Sequence, residues 1–186
     1  MNVLISGGGT GGHVYPALAV ASALDLKSRD QVQEHVVLER AGMSGIEPDP
    51  DARARFSVLY IGSHRGMERR IVTGESNLPY HAVPAAALRG RDPFALGRGL
   101  LTMTGGILAA HQLLRITRPA AILGTGGYVC VPVFLAARFI GIPTLIYLPD
   151  VVPGLAVHFL ARLATQVACN VEEARHYLRV HTAKII

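Results

Sequence analysis

The segment MNVLISGGGTGGHVYPALAV, residues 1–20, decides the fold. Val3–Ser6 is a short run that is apolar until its last residue. The six residues Gly7 to Gly12 hold five glycines and Thr10, and His13 follows. A helical pattern then runs over Tyr15–Leu26. Strand, glycine turn and helix, in that order, open a parallel α/β sheet whose ligands sit at strand carboxyl ends. Pro16 suits the first helical turn, where its missing N–H costs nothing. Glycines let the backbone turn tightly and approach a ligand without a Cβ in the way. The helix start adds unpaired N–H groups and a positive dipole end. Two readings stand for this loop: a phosphate or diphosphate cradle, and a tight turn that merely needs glycines.

The rhythm continues along the chain. Val58–Ile61, Tyr80–Val83, Ala121–Leu123, Thr144–Leu148, Gln166–Cys169 and Ala183–Ile186 are further strand candidates. Gly66–Val72, Phe94–Thr117, Val131–Ile140, Gly154–Ala164 and Glu172–Arg179 are helix candidates. Strands that are apolar throughout, rather than alternating, belong to a sheet covered on both faces. The expected fold is therefore an α/β, Rossmann-like, doubly wound parallel sheet. A second loop, Gly124-Thr125-Gly126-Gly127-Tyr128, again joins a strand to a helix. Two glycine loops at strand carboxyl ends, aimed at one crevice, argue more strongly than either alone. Tyr128 is read either as a ligand contact or as packing. Asp150 closes the strand Thr144–Leu148 and is read either as a substrate contact or as an N-cap for the next helix.

Composition bounds the function. Half the residues are hydrophobic and 17% are charged, which excludes intrinsic disorder. The length of 186 residues fits one domain with a real core. Two cysteines, Cys130 and Cys169, without a Cys-x-x-Cys pair exclude a disulfide scaffold and a thiolate zinc site. Both are read as buried thiols in a reducing compartment. The N-terminus has no signal-peptide pattern, and no run is long and apolar enough to span a membrane, so a cytoplasmic protein is expected. Net charge is +5, but residues 30–56 hold six of the 13 acids and three of the 18 basic residues. That segment, with its Glu-Pro-Asp-Pro-Asp run, reads as an exposed loop insertion, and the remainder carries +8. Such a charge reads as a solvated surface or as attraction to an anionic partner. The first loop also satisfies the dinucleotide pattern at Gly7, Gly9 and Gly12, a weak match in so glycine-rich a stretch. Glu39 could close a second strand over Val36–Glu39 and serve that purpose, but it lies inside the insertion.

The stretches GGGTGGHVYPALAVASAL, IGSHRGMERRIV, LRGR, GTGGYVCVPVFLAARFIGIPTLIY and PGLAVHFLARLATQVA resemble, in order, the N-terminal half of the MurG family of bacterial glycosyltransferases. The resemblance covers about 1–28 and 57–186. It implies glycosyltransferase family 28, an inverting, metal-independent enzyme of the GT-B type with two Rossmann-like domains facing a cleft. Residues 1–186 would form the acceptor-binding domain, and the donor-binding C-terminal domain would be missing. The implied reaction moves N-acetylglucosamine from UDP-N-acetylglucosamine to a polyprenyl-diphosphate-linked acceptor, converting lipid I to lipid II in peptidoglycan synthesis. On that resemblance Gly8, Gly9, Thr10, Gly11 and Gly12, with Gly126, Gly127 and Tyr128, cradle the acceptor diphosphate. His13 acts near the reacting hydroxyl; histidine as a residue type suits general-base work near neutrality. No cofactor, metal or nucleic acid is implied. The family's His-Glu-Gln-Asn after the fifth strand is here Tyr147-Leu148-Pro149-Asp150, which leaves Asp150 as the possible acceptor contact.

The family also sits on the inner face of the cell membrane through an apolar patch with basic neighbours. The matching stretch is Ala85–Leu114, where Leu88, Arg89, Arg91, Phe94, Arg98 and Leu101 interleave apolar area with charge. The alternative is a core helix with a solvated basic edge. Two other functions compete: a noncatalytic, membrane-recruiting subunit of a split GT-B enzyme, and a dinucleotide-binding Rossmann module. The length acquires a second meaning under the resemblance: a chain ending in a last strand is expected to be half an enzyme, inactive in transfer alone.

Overall fold

The computed structural model describes residues 1–40, 56–87, 93–178 and 184–185. Among the described residues, seven strands alternate with six helices: β1 (Asn2–Ser6), α1 (Gly11–Arg40), β2 (Ser57–Ser63), α2 (Met67–Glu75), β3 (Tyr80–Val83), α3 (Pro93–Thr117), β4 (Ala121–Gly124), α4 (Cys130–Ile140), β5 (Thr144–Leu148), α5 (Leu155–Leu163), β6 (Gln166–Cys169), α6 (Ala174–Tyr177) and β7 (Lys184–Ile185). The strands form one sheet in the order β3-β2-β1-β4-β5-β6-β7. Every pairing is parallel. The chain winds outward from β1 to β3, then returns to lay β4 on the other side of β1. The expected Rossmann-like, doubly wound α/β fold is the observed one.

Alternation along the central strands divides the core in two. Leu4 and Ile122 face one layer with Ala110 and Leu114 of α3, Phe134 and Ala137 of α4 and Leu160 of α5. Ile5, Leu123 and Tyr60 face the other, with Val14, Ala17 and Ala21 of α1 and Ile71 and Val72 of α2. Successive side chains of a strand point to opposite faces, so apolar residues at both parities require cover on both sides. Burying each large apolar side chain stabilises by roughly 1.5–3 kcal/mol. Pro132 falls in the first turn of α4, where its missing N–H leaves no intrahelical bond unmade.

Three expectations change. Residues 30–56 were expected as a loop, yet α1 continues as helix to Arg40. The sequence 30–40 has no Gly or Pro and holds two Gln, two Glu, one Leu and one Arg, all good helix formers, so charge alone misled. Glu39 therefore lies in a helix, not at a strand end. The rest of that stretch, 41–55, lies outside the described residues. Pro16 is inside α1 rather than in its first turn, because the helix starts earlier, at Gly11. The helix expected over Glu172–Arg179 shortens to Ala174–Tyr177, since Leu178 turns to extended backbone and buries its side chain.

Two adjacent glycines in α3 separate packing from propensity. A Cβ on Gly106 would collide with the carbonyl oxygen of Pro84 and lie 3.2 Å from Pro132 Cβ, whereas one on Gly105 would meet nothing. Gly105→Ala is expected to raise stability by about 0.5–1 kcal/mol through helix propensity. Gly106→Ala is expected to lower it by about 1–3 kcal/mol through overpacking. Urea denaturation of the two variants checks the sign of each.

Candidate functional site

The order of the sheet reverses between β1 and β4, where crossovers leave in opposite directions, the place at which sheets of this type bind ligands beyond the strand ends. Ser6 pairs with Ile61 on one side and Gly124 on the other, so the loops after β1 and β4 start side by side. The first loop, Gly7–Thr10, is fixed from inside. The Tyr60 hydroxyl donates to Gly7 O at 2.9 Å. The Gly8 N–H donates to Gly126 O at 3.2 Å, and the Gly9 N–H to Glu68 Oε2 at 3.3 Å. Gly9 takes φ +86°, left-handed backbone that favours glycine. Gly8 is buried, while Gly9 and Thr10 are exposed. The His13 N–H turns back to Thr10 O at 3.1 Å. That leaves the N–H groups of Thr10, Gly11 and Gly12 without an acceptor among the described residues, at the start of α1.

The second loop locks onto the first. Thr125 is buried, donating its N–H to Ser6 O at 3.0 Å and its hydroxyl to His13 O at 2.5 Å. Gly126 and Gly127 have φ +111° and +87°. A Cβ on Gly127 would overlap the Gly8 carbonyl oxygen, and one on Gly126 would lie 2.9 Å from His13 Nε2. The Tyr128 ring comes to 3.6 Å from where a Gly9 Cβ would be, so it lies beside the first loop. The structure thus brings His13, Gly8–Gly12 and Gly126–Tyr128 into one place. Within it, Gly8 and Gly9 spend their amides on the protein itself.

His13 Nδ1 lies 3.2 Å from Gly8 O and 3.2 Å from Thr10 Oγ1. A carbonyl only accepts, so the Gly8 bond places a proton on Nδ1 and leaves Nε2 with its lone pair. Of the two sequence readings of His13, the helix-start residue bonded to backbone is the observed one.

Sequence reasoning missed Glu68. Five residues past Ser63, Glu68 folds back fully buried, accepting the Ser63 N–H at 2.9 Å and the Ser63 hydroxyl at 2.5 Å. Its signal was the flanking pair Gly62 and Gly66, whose missing side chains make room for Tyr80 and for the carboxylate itself. Burial holds the Tyr60 and Tyr80 hydroxyls well above the usual tyrosine range, so both remain donors. The Tyr80 hydroxyl donates to Ser63 O at 2.8 Å, and its ring stacks on Tyr60 with centroids 5.9 Å apart.

The other expected residues divide. Asp150 is exposed beyond β5, and Gly154 is the N-cap of α5, so Asp150 does not cap that helix. Cys130 is buried, and burial pushes its thiol up to about 11. It donates to Ser6 O and Gly126 O at 3.2 and 3.1 Å, tying β4 and its loop to β1. Cys169 is only half-buried, against expectation, because it ends a strand near the sheet's margin. In α3, Met103, Gly106, Ala110 and Leu114 are buried. Phe94, Leu101 and Leu108, each seven residues apart, are 85%, 75% and 67% exposed. One face of this helix is therefore core, and the opposite face carries an exposed apolar stripe. Arg98 is exposed beside that stripe, while Leu88, Arg89 and Arg91 lie outside the described residues. No group of His, Cys, Asp and Glu able to hold a metal occurs among the described residues. No helix among them is long and apolar enough to cross a membrane.

Comparison with known proteins agrees with this arrangement. The profile of the glycosyltransferase family 28 N-terminal domain matches residues 3–44 and 52–169. It runs through most of 30–56, so the departure from the family narrows to 45–51. A UDP-N-acetylglucosamine--N-acetylmuramyl-(pentapeptide) pyrophosphoryl-undecaprenol N-acetylglucosamine transferase from Roseiflexus sp. (strain RS-1) is 57% identical over 172 residues, covering 92% of this chain and 38% of that protein. A protein of the same name from Desulforudis audaxviator is 42% identical over 179 residues, covering 95% of this chain and 41% of its own. The chain thus spans about two fifths of the length of these relatives. The crystal structure of Acinetobacter baumannii MurG superposes over the whole chain and 44% of its own, with TM-score 0.68 and 26% identity. A UDP-GlcNAc 2-epimerase from Neisseria meningitidis shares the fold at TM-score 0.56 and 16% identity. With its glycine loops, its sheet order and this profile match in agreement, the chain belongs to glycosyltransferase family 28 and corresponds to the N-terminal domain of that family.

Proposed function

We propose that this chain is the acceptor-binding part of an inverting hexosyltransferase. The transferase moves N-acetylglucosamine from UDP-N-acetylglucosamine to a polyprenyl-diphosphate-linked acceptor, lipid I, giving lipid II. One observation carries the reading: the N–H groups of Thr10, Gly11 and Gly12 have no acceptor among the described residues and lie in the same loop as His13, whose Nδ1 is 3.2 Å from Gly8 O. Three amides at a helix start suit the oxygens of a diphosphate. Tyr128 and the backbone of Gly126–Gly127 wall the other side. The acceptor's 4-hydroxyl attacks the anomeric carbon, forming the new C–O bond. The bond to UDP breaks, and the diphosphate leaves with the electron pair. His13 Nε2 takes the hydroxyl proton, and its Nδ1–H stays on Gly8 O. Donor contacts and stabilisation of the leaving group belong to the remaining length that the relatives possess, and these 186 residues alone are expected to transfer no sugar.

A dinucleotide site is the weaker reading, because the carboxylate nearest the first loop, Glu68, is buried against Gly9 and Ser63 rather than turned to a ribose. Membrane contact is part of the proposal. The stripe Phe94, Leu101 and Leu108 with Arg98 beside it suits an anionic bilayer surface on the cytoplasmic side. Asp150, on the rim beyond β5, is assigned to acceptor contact.

In the full gene product, His13→Ala is expected to cut turnover of UDP-N-acetylglucosamine with lipid I by about 10²–10⁴-fold. Its melting temperature should stay near wild type, since Thr125 bonds the backbone of His13 and not its ring. Turnover near wild type removes His13 from the proton transfer. Sedimentation with anionic vesicles checks the membrane contact. Binding is expected at low salt, weaker as salt rises and lost in Phe94→Ser/Leu101→Ser. Equal sedimentation of the double variant excludes the stripe.

A further inference from the structure

Glu68 lies directly beneath the proposed anion site, where a negative charge is least expected. It stands in the first turn of α2 and is fully buried. A buried carboxylate is costly unless its oxygens are bonded. Here Oε1 accepts both the N–H and the hydroxyl of Ser63, at 2.9 and 2.5 Å, and Oε2 accepts the Gly9 N–H at 3.3 Å. All three partners donate, which suits an ionised carboxylate near a helix N-terminus. A Cβ on Gly8 would come 2.7 Å from its Cδ, and one on Gly66 would collide with it. The loop after β1 and the loop after β2 are thus both moulded around this one side chain.

The consequence falls on the direction of the loop. With its N–H bonded to Glu68, Gly9 takes φ +86°, and Thr10 and Gly12 beyond it are exposed. The N–H groups of Thr10, Gly11 and Gly12 have no acceptor among the described residues.

We propose that Glu68 is a positioning residue of the anion cradle: its carboxylate holds the Gly9 amide inward, and so sets the Thr10, Gly11 and Gly12 amides to face the ligand. The proposal rests on the reading of this loop as a diphosphate cradle. Glutamate is specified by the donors. Glutamine must turn its NH2 toward either Gly9 or Ser63, setting donor against donor. Aspartate is one methylene short of spanning the gap between them.

The test is amide NMR of the 186-residue chain with inorganic pyrophosphate as the probe. In the wild type the Gly9 amide proton should resonate downfield and exchange slowly, although Gly9 itself is exposed. Pyrophosphate should shift the Thr10, Gly11 and Gly12 amides and leave Gly8 and Gly9 nearly still. Glu68→Gln should move the Gly9 amide upfield and weaken pyrophosphate binding about tenfold or more. A lower melting temperature with unchanged pyrophosphate affinity would reduce Glu68 to a structural residue and overturn the proposal. A fast-exchanging Gly9 amide at an ordinary shift in the wild type overturns it too, even where Glu68→Gln does not fold. No pyrophosphate binding by a wild type whose Gly9 amide is downfield and protected overturns the cradle reading instead, and leaves Glu68's hold on the loop standing.

Discussion

The close approach of Gly8 to Gly127 is the constraint on which the site depends. The backbone of the second loop runs so near the first that a side chain on Gly127 would occupy the Gly8 carbonyl oxygen. Through that gap the two loops exchange direct bonds: Gly8 N–H to Gly126 O, Thr125 N–H to Ser6 O and Thr125 hydroxyl to His13 O. The contact is possible because β1 and β4 are neighbours in register, with Ser6 beside Gly124. Glycines here serve close approach of two backbones. Gly7 and Gly8 are packed inside, Gly11 is half-buried, and Gly9, Thr10 and Gly12 are exposed.

Polarity is arranged in layers around that contact. Underneath are a carboxylate on Glu68 and two tyrosine hydroxyls that burial keeps protonated. These groups satisfy the inner side of the loops, donating to Gly7 and Ser63 carbonyls and accepting from Gly9 and Ser63. Above them the N–H groups of Thr10, Gly11 and Gly12 remain without acceptors among the described residues, at the N-terminus of α1. His13 links the layers. Its Nδ1 answers the Gly8 carbonyl, and that bond determines which nitrogen is left to take a proton.

The parallel, doubly wound class of the sheet, its strand positions and both glycine loops were legible in the sequence, because apolar runs and glycine clusters are local signals. Their failures were also local. A charged stretch without glycine or proline looked like a loop over 30–40 but propagates α1, since helix propensity there outweighs charge. Pro16 looked like a helix start and is not, because the glycine-rich turn before it is already helical from Gly11. Glu68 was invisible for a different reason. It sits among three arginines in a stretch that reads as surface, and only the fold brings it under a loop 59 residues away in the chain. Long-range satisfaction of a buried charge leaves no pattern in neighbouring residues, apart from the small ones that make room for it. The opposite faces of α3 were likewise undecidable from composition: one stripe is core and the other is apolar and exposed.

The account assigns acceptor binding to this chain and puts the diphosphate on three particular amides. The most direct measurement is a crystal structure of the chain with a short-chain prenyl diphosphate. The predicted result is diphosphate oxygens within hydrogen-bond distance of the Thr10, Gly11 and Gly12 nitrogens, with Tyr128 and His13 flanking and the Gly9 N–H still on Glu68. A diphosphate bound elsewhere, for example between Arg138 and Arg162 in the pocket at the amino ends of β5 and β6, would contradict it.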